Sequence, residues 1–432
     1  MSRVVSLLAV AAATMLACGP ASVPSPSASG SDVVSAVPAV PPVLVLDAKA
    51  LGETRAAALA GKEVPGLAEL RRDADPVVSA FPMTVIAKNA PAPSGDIHDY
   101  LSLSIYWWPD TSKPDGLPYL QRDGHTNPES SDTTKYDAGK LNRMVMSVET
   151  LSLAAYITGE RQYADASAKW LRTWFIDPKT RMNPTMRYAQ IIPGRPEPRG
   201  TGIIDSRQLM RAVDAALLLT GMPSWTAADD AALRAWFGEM ADWLVTSPQG
   251  QMEGASKNNH GTWYDAQLAD FALYGGRPQI VRDTLSRFAV RRVTPQIESD
   301  GTQPLELART RSYHYSAFNL LAFAVAADLG AGAGVDVWHS APGIRAGIDL
   351  LVPYATPGTT WPYPDIDKID YYTELAPVLT RAARAYPDAG YDRVLAQISA
   401  KATAGGLLRL RLGAFGSLGG TAAAPAPLVY AA

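Results

Sequence analysis

From Leu51 onward, apolar residues recur at three- and four-residue intervals, and most runs close on glycine or proline. Leu141, Met144, Val145, Val148, Leu151 and Ala155 fall on one face of a helix that ends at Thr158-Gly159. Residues 163–175 read as its partner, stopped by Asp177-Pro178. The same pattern predicts helices over 206–219, 227–245, 262–274, 278–291, 311–329, 337–351, 371–386 and 391–402. Alternating valine- and isoleucine-rich runs are few, so the expected class is all-α, built from successive helical hairpins. Serial hairpins make either an open solenoid or an (α/α) toroid, incomplete or closed. A solenoid repeats at a fixed period; none is found here and the connections are unequal, which favours the toroid.

Two connections, 100–135 and 182–205, are long enough to suggest a role of their own. The first carries Tyr106, Trp107 and Trp108, flat faces on which sugar rings stack, or else a small core beneath the loop. In the second, Arg187, Arg195 and Arg199 stand among prolines, which holds positive charge at a cleft rim with little entropy to lose. Composition adds limits: 432 residues at 47% hydrophobic and 19% charged exclude a disordered chain. A formal charge of -3 without a basic run makes nucleic acid a poor partner. Residues 1–17 read as a lipoprotein signal peptide, and Cys18, the sole cysteine, as its lipidation site, so export with membrane attachment only through an N-terminal lipid is expected, periplasmic or on the outer membrane. A Pro/Ser/Ala-rich tether follows over 18–42, then the domain over 43–415 and a flexible tail over 416–432.

The candidate chemistry lies in two segments. Asn258, Asn259 and His260 precede a helix whose expected start is Thr262 with Asp265, a pattern like a capping box. Two amides and an imidazole beside a helix N-terminus suit a carboxylate, or simply cap the helix. Arg309, Arg311 and Tyr315 open a second helix, with Arg311 and Tyr315 four residues apart on one side. Cationic neighbours would lower the phenol's pKa and ready it for proton transfer; a helix-face tyrosine with two solvated arginines is the plainer alternative. His98, His125, His314 and His339 lack HExxH-like spacing, so no metal site is expected. Asp123, Glu298, Asp300 and Glu306 are candidates for the carboxylate pair of an inverting glycoside hydrolase.

Taken together, Asn259, His260, Arg309 and Tyr315 resemble the active site of the alginate lyase-like polysaccharide lyases, which are α/α-toroid enzymes. The resemblance runs from about residue 70 to about residue 380. It is carried by the stretch from Asp99 through Tyr106-Trp107-Trp108-Pro109-Asp110, by Arg122-Asp123-Gly124, by Asn127-Pro128-Glu129, by Leu171-Arg172-Thr173-Trp174-Phe175 with Asn183-Pro184, by Asn258 to Asp265 and by Glu306 to Arg311. It implies cleavage of an anionic polysaccharide by β-elimination, without metal or other cofactor. Asn259 and His260, helped by Arg309, would neutralise the uronate carboxylate; Tyr315, or His260 for the opposite epimer, would take the C5 proton. Tyr106, Trp107, Trp108, Arg187, Asn258 and Arg311 would bind substrate. The residues after the histidine and the tyrosine, Gly261-Thr262 and Ser316-Ala317, depart from polysaccharide lyase family 5 and look closer to family 38, which points to glucuronan as well as mannuronate-rich alginate. A non-catalytic lipoprotein that captures acidic glycans is the alternative from outside enzymology.

Overall fold

The computed structural model describes residues 37–197, 199–355, 359–366 and 371–399. The segments expected as signal peptide, most of the tether and C-terminal tail, with Cys18, lie outside the described residues. The helices are α1 (Ala48–Leu59), α2 (Leu67–Val78), α3 (Ala138–Thr158), α4 (Arg161–Leu171), α5 (Met210–Leu218), α6 (Ala227–Thr246), α7 (Pro248–Gly254), α8 (Asn259–Tyr274) and α9 (Pro278–Leu285). After two short turns, α10 (Thr294–Gln296) and α11 (Pro304–Leu307), come α12 (Ser312–Gly332), α13 (Gly343–Leu351), α14 (Tyr371–Ala385) and α15 (Tyr391–Ser399).

Packing sorts them into two layers. Helices α3, α5, α8, α12 and α14 each touch the next in that series, and α4, α6, α9, α13 and α15 back them from outside. Burial follows: α8 buries 14 of its 16 residues, whereas α9 buries three of eight. A helix apolar all round belongs inside, and one with a single apolar stripe belongs on the rim. This is the (α/α) toroid expected from serial hairpins. Its middle is nearly filled: the cavity lined by Glu149, Asp214, Trp263, Phe318 and Arg381 measures about 90 Å³.

A strap over residues 37–47 joins the two ends of the inner series. The Tyr156 hydroxyl on α3 donates to the carbonyls of Pro38 (3.1 Å) and Ala39 (2.8 Å). Three successive amides, Leu44, Val45 and Leu46, converge on the Asp214 carboxylate of α5 at 2.6, 3.0 and 2.8 Å. From α14, Arg381 donates to the Val45 carbonyl at 3.0 Å and Arg384 pairs with Asp47. Residues 37–42, expected as tether, are therefore docked on the domain.

Several helix boundaries differ from the periodicity. The segment expected as helix over 206–219 begins with a 3₁₀ run, Thr201–Leu209, and the segment over 278–291 stops at Leu285 before a π turn, Ala289–Val293. The helix expected from Val337 starts at Gly343, because Pro342 fits a helix start and not its interior. The two long connections are pinned by short ladders. β1 (Leu101–Leu103) pairs in parallel with β4 (Tyr188–Ile191), and β2 (Trp107–Trp108) pairs antiparallel with β3 (Leu120–Gln121).

Candidate active site

The head of α8 begins three residues earlier than Thr262. Asn258 is the N-cap, its side chain accepting from the His260 amide at 3.3 Å, so Asn259 and His260 lie in the first turn and not ahead of it. Asparagine is the stronger cap, and Asp265 is taken elsewhere, gripped by the Arg292 fork at 2.6 and 2.9 Å. Gly261 allows this close turn, since a Cβ there would sit 2.1 Å from the Ser256 carbonyl oxygen. The anion at this helix N-terminus is the protein's own: Glu306 accepts from the Asn259 amide at 2.6 Å and from its Nδ2 at 2.7 Å. Burial pushes the Glu306 carboxyl up, against the two Asn259 donors and the nearby Arg309 and His260.

His260 meets the buried Glu253 of α7 through Nδ1 at 2.7 Å. A carboxylate only accepts, so in the neutral ring the hydrogen is on Nδ1 and the lone pair on Nε2. The imidazole side chain keeps 19% of its surface exposed, against 3% for Glu253.

The second segment is built on Asp123. Its carboxylate takes Arg309 Nη2 at 2.6 Å and Nε at 3.2 Å, and also the Thr310 hydroxyl at 3.0 Å. The Gly124 turn, at φ +77, lets that loop approach; a Cβ would stand 2.5 Å from the Thr310 Oγ1. Burial opposes ionisation of Asp123, yet the Arg309 fork and Thr310 keep its carboxyl below the usual range. Held in this way, the Arg309 guanidinium lies 3.6 Å from the centre of the Tyr315 ring. The Tyr315 hydroxyl shares a 2.8 Å hydrogen bond with the Tyr106 hydroxyl. The pKa expectation is reversed here: burial, with Tyr106 adding to it, raises the Tyr315 phenol far above its ordinary value, and Arg309 only moderates the shift. The resting group is a neutral phenol that holds its proton.

Tyr315, Arg309, Glu306, Asn259 and His260 thus form one connected neighbourhood, since Arg309 and His260 both act on Glu306. Tyr106, expected as a stacking surface, reaches the reacting cluster with its hydroxyl. Trp107 and Trp108 are half-buried and covered by arginines, Trp107 by Arg195 and Arg199, Trp108 by Arg122. Arg187 lies apart from the cluster, in a pocket of about 460 Å³ shared with Arg195 and Arg199. Arg311 is the buried N-cap residue of α12, with a backbone bridge to Asp365. His314 is buried, 3.1 Å from Glu374 and stacked on Phe318.

Three of the four acids considered for a hydrolase are otherwise engaged: Asp123 with Arg309, Glu306 with Asn259, and Asp300 with the Thr302 amide at 2.9 Å. Sequence reasoning passed over Glu253, whose signal is one acid seven residues before the histidine, and the Tyr106–Tyr315 contact, which spans 209 positions without a local signal.

A family profile described as alginate lyase matches residues 84–361. Among solved structures, an alginate lyase from Bacteroides ovatus is 38% identical, with a TM-score of 0.79, covering 83% of this chain and 96% of that one. Alginate lyase A1-III, as the apo form of a histidine-to-alanine variant, is 17% identical with a TM-score of 0.45, covering 82% of this chain and 89% of the other. No curated protein sequence matches. The fold and comparisons define a helical-toroid polysaccharide lyase. The chain belongs to the alginate lyase family.

Proposed function

We propose that this lyase cleaves a polyuronate, mannuronate-rich alginate or glucuronan, by β-elimination across C4 and C5, with no metal in the bond-breaking step. The observation that carries this reading is the Tyr315 phenol lying under a guanidinium in the neighbourhood of an imidazole whose Nδ1 is held by Glu253. The C5 proton becomes acidic only when the adjoining carboxylate is neutralised, a role for the second Nδ2 hydrogen of Asn259 and for the Arg309 charge, while His260, whose Nδ1 is held by Glu253, is left to act as base. Where the C5 proton faces His260, Nε2 takes it and Tyr315 returns a proton to the departing glycosidic oxygen. Where it faces Tyr315, the phenol first passes its proton through the Tyr106 hydroxyl to water, takes the C5 proton as the phenolate and gives that proton to the departing glycosidic oxygen.

Purified protein incubated with polymannuronate, glucuronan and a neutral glucan separates the readings. Elimination raises both ultraviolet absorbance, from the new C4–C5 double bond, and reducing ends. Hydrolysis raises reducing ends alone, and a binding protein raises neither. Tyr315→Phe is expected to lower kcat by about 10²- to 10⁴-fold. A phenylalanine variant with full activity sinks the role given to Tyr315.

A further inference from the structure

Thr262, expected as the cap of α8, is engaged elsewhere. Fully buried, it donates from its hydroxyl to the Gln296 side-chain oxygen at 3.1 Å. That oxygen also accepts from the Asn319 side-chain amide of α12 at 3.0 Å, and the same Asn319 nitrogen donates to the Gln303 oxygen at 2.8 Å. Gln303 in turn donates from Nε2 to the carbonyl of Ser316, the residue after Tyr315, at 3.1 Å. The Gln303 backbone carbonyl accepts from the Glu306 and Leu307 amides at 3.0 and 2.9 Å, so the turn that presents Glu306 to Asn259 starts from the same residue.

Four buried side chains, Thr262, Gln296, Gln303 and Asn319, therefore tie together the three segments that build the site: the head of α8, the α11 turn and the head of α12. They do so one turn beneath the reacting groups. Thr262 follows Asn259 by three residues and Asn319 follows Tyr315 by four, so each shares a helix face with a residue of the site.

The cluster is a poor source of stability. Asn319 Oδ1 and Gln296 Nε2 have no hydrogen-bond partner among the described residues, and a buried polar group left unsatisfied costs more than apolar side chains of similar shape in its place. Cohesion between the two helices is already supplied beside it by Trp263 and Phe318, whose ring centres lie 5.0 Å apart. Such apolar contact is non-directional and lets one helix slide on the other. Hydrogen bonds are confined to a narrow range of distance and angle, and a network of them permits one register.

We propose that Asn319 is a positioning residue for the elimination: with Gln296, Gln303 and Thr262 it fixes the separation and axial register of the α8 and α12 heads, and so the distance between His260 and Tyr315. All four are buried and act through those site residues. The proposal rests on the lyase reading and names what aligns its two proton-transferring groups.

The test is steady-state kinetics on polymannuronate and glucuronan with Asn319→Leu, Thr262→Val and the double variant. Each single change keeps the branching of the side chain and removes its part of the link. A misplacement of about 1 Å costs roughly 10²-fold, so kcat should fall by about ten- to a hundredfold while KM moves by less than about threefold. The double variant should be no slower than the slower single one, since a link already cut cannot be cut again. If Asn319→Leu does not fold, Asn319→Ser takes its place. A raised KM with kcat unchanged, a kcat within twofold in both single variants, or losses that multiply in the double variant overturns the proposal. Crystal structures of the unsubstituted chain and of Asn319→Leu report separately from turnover: the Cα separation of Asn259 and Tyr315 should differ by more than about 0.5 Å, and an unchanged separation overturns the alignment whatever the kinetics. If the unsubstituted chain cleaves no polyuronate, the lyase reading fails and this separation alone decides the role of Asn319.

Discussion

Two regions of this molecule bury ionised groups, and they do so to opposite ends. Behind β1, Lys88, Asp137 and Lys140 have side chains with 0% exposure. The Lys88 ammonium is saturated: it donates to the carbonyls of Val85, Ile97 and Asp99 at 2.6, 2.8 and 2.9 Å and meets Asp137 at 3.0 Å. Asp137 also accepts from the Leu101 amide at 2.9 Å, and Lys140 approaches its other oxygen at 2.8 Å, off the angle for a good hydrogen bond. Nothing there faces outward. At the heads of α8 and α12 each group is fixed from behind, but His260 keeps 19% of its side chain exposed and Arg309 22%. The difference teaches that burial and pairing alone do not mark a reactive site. What marks it is a group oriented by one partner and left with a valence facing solvent.

The comparison would break first at Asp137. Asp137→Ala leaves two buried ammonium groups without a counter-ion, and unfolding in urea should show a loss of about 3–5 kcal/mol while the molecules still folded keep their activity within a few-fold. A variant that stayed stable but lost turnover would reverse the roles of the two regions. Next comes Glu253→Gln, which leaves the histidine in place and loosens its tautomer. Orienting partners of this kind are worth about 10- to 100-fold, so kcat should fall by that much with the unfolding midpoint nearly unchanged. The smallest effect is one of pH. Because burial raises the Tyr315 phenol above its usual value of about 10, its proton stays on as pH climbs past that value. Initial rates taken briefly up to pH 10 should therefore show no alkaline decline from this group, and a midpoint below 10 would mean that the phenol is less enclosed than the packing indicates.

Much of the architecture was legible because serial hairpins write themselves as a 3.6-residue pattern with glycine and proline at the joints. The start of α8 was misread because Thr262 and Asp265 imitate a cap. Asp265 is instead claimed by Arg292, a partner 27 residues away that no local rule reveals. The boundary at Gly343 was readable from Pro342, a residue that fits a helix start and not its interior, and the apolar spacing from Val337 to Leu351 overrode it. At the site, the residue types were readable from two local stretches. Their orienting partners were not: Asp123 reaches Arg309 across 186 positions and Tyr106 reaches Tyr315 across 209, distances that only the ring closes. The direction of the Tyr315 shift was lost for the same reason. Sequence displayed the neighbouring cations but not the apolar walls that outweigh them.

The short segment from Pro38 to Asp47 has a practical bearing on anyone handling this protein. It fastens the first wall of the hoop to the last, as a buckle does, through Tyr156, Asp214, Arg381 and Arg384. A recombinant fragment trimmed to begin at α1 would discard the buckle, so the cut belongs upstream of Val37.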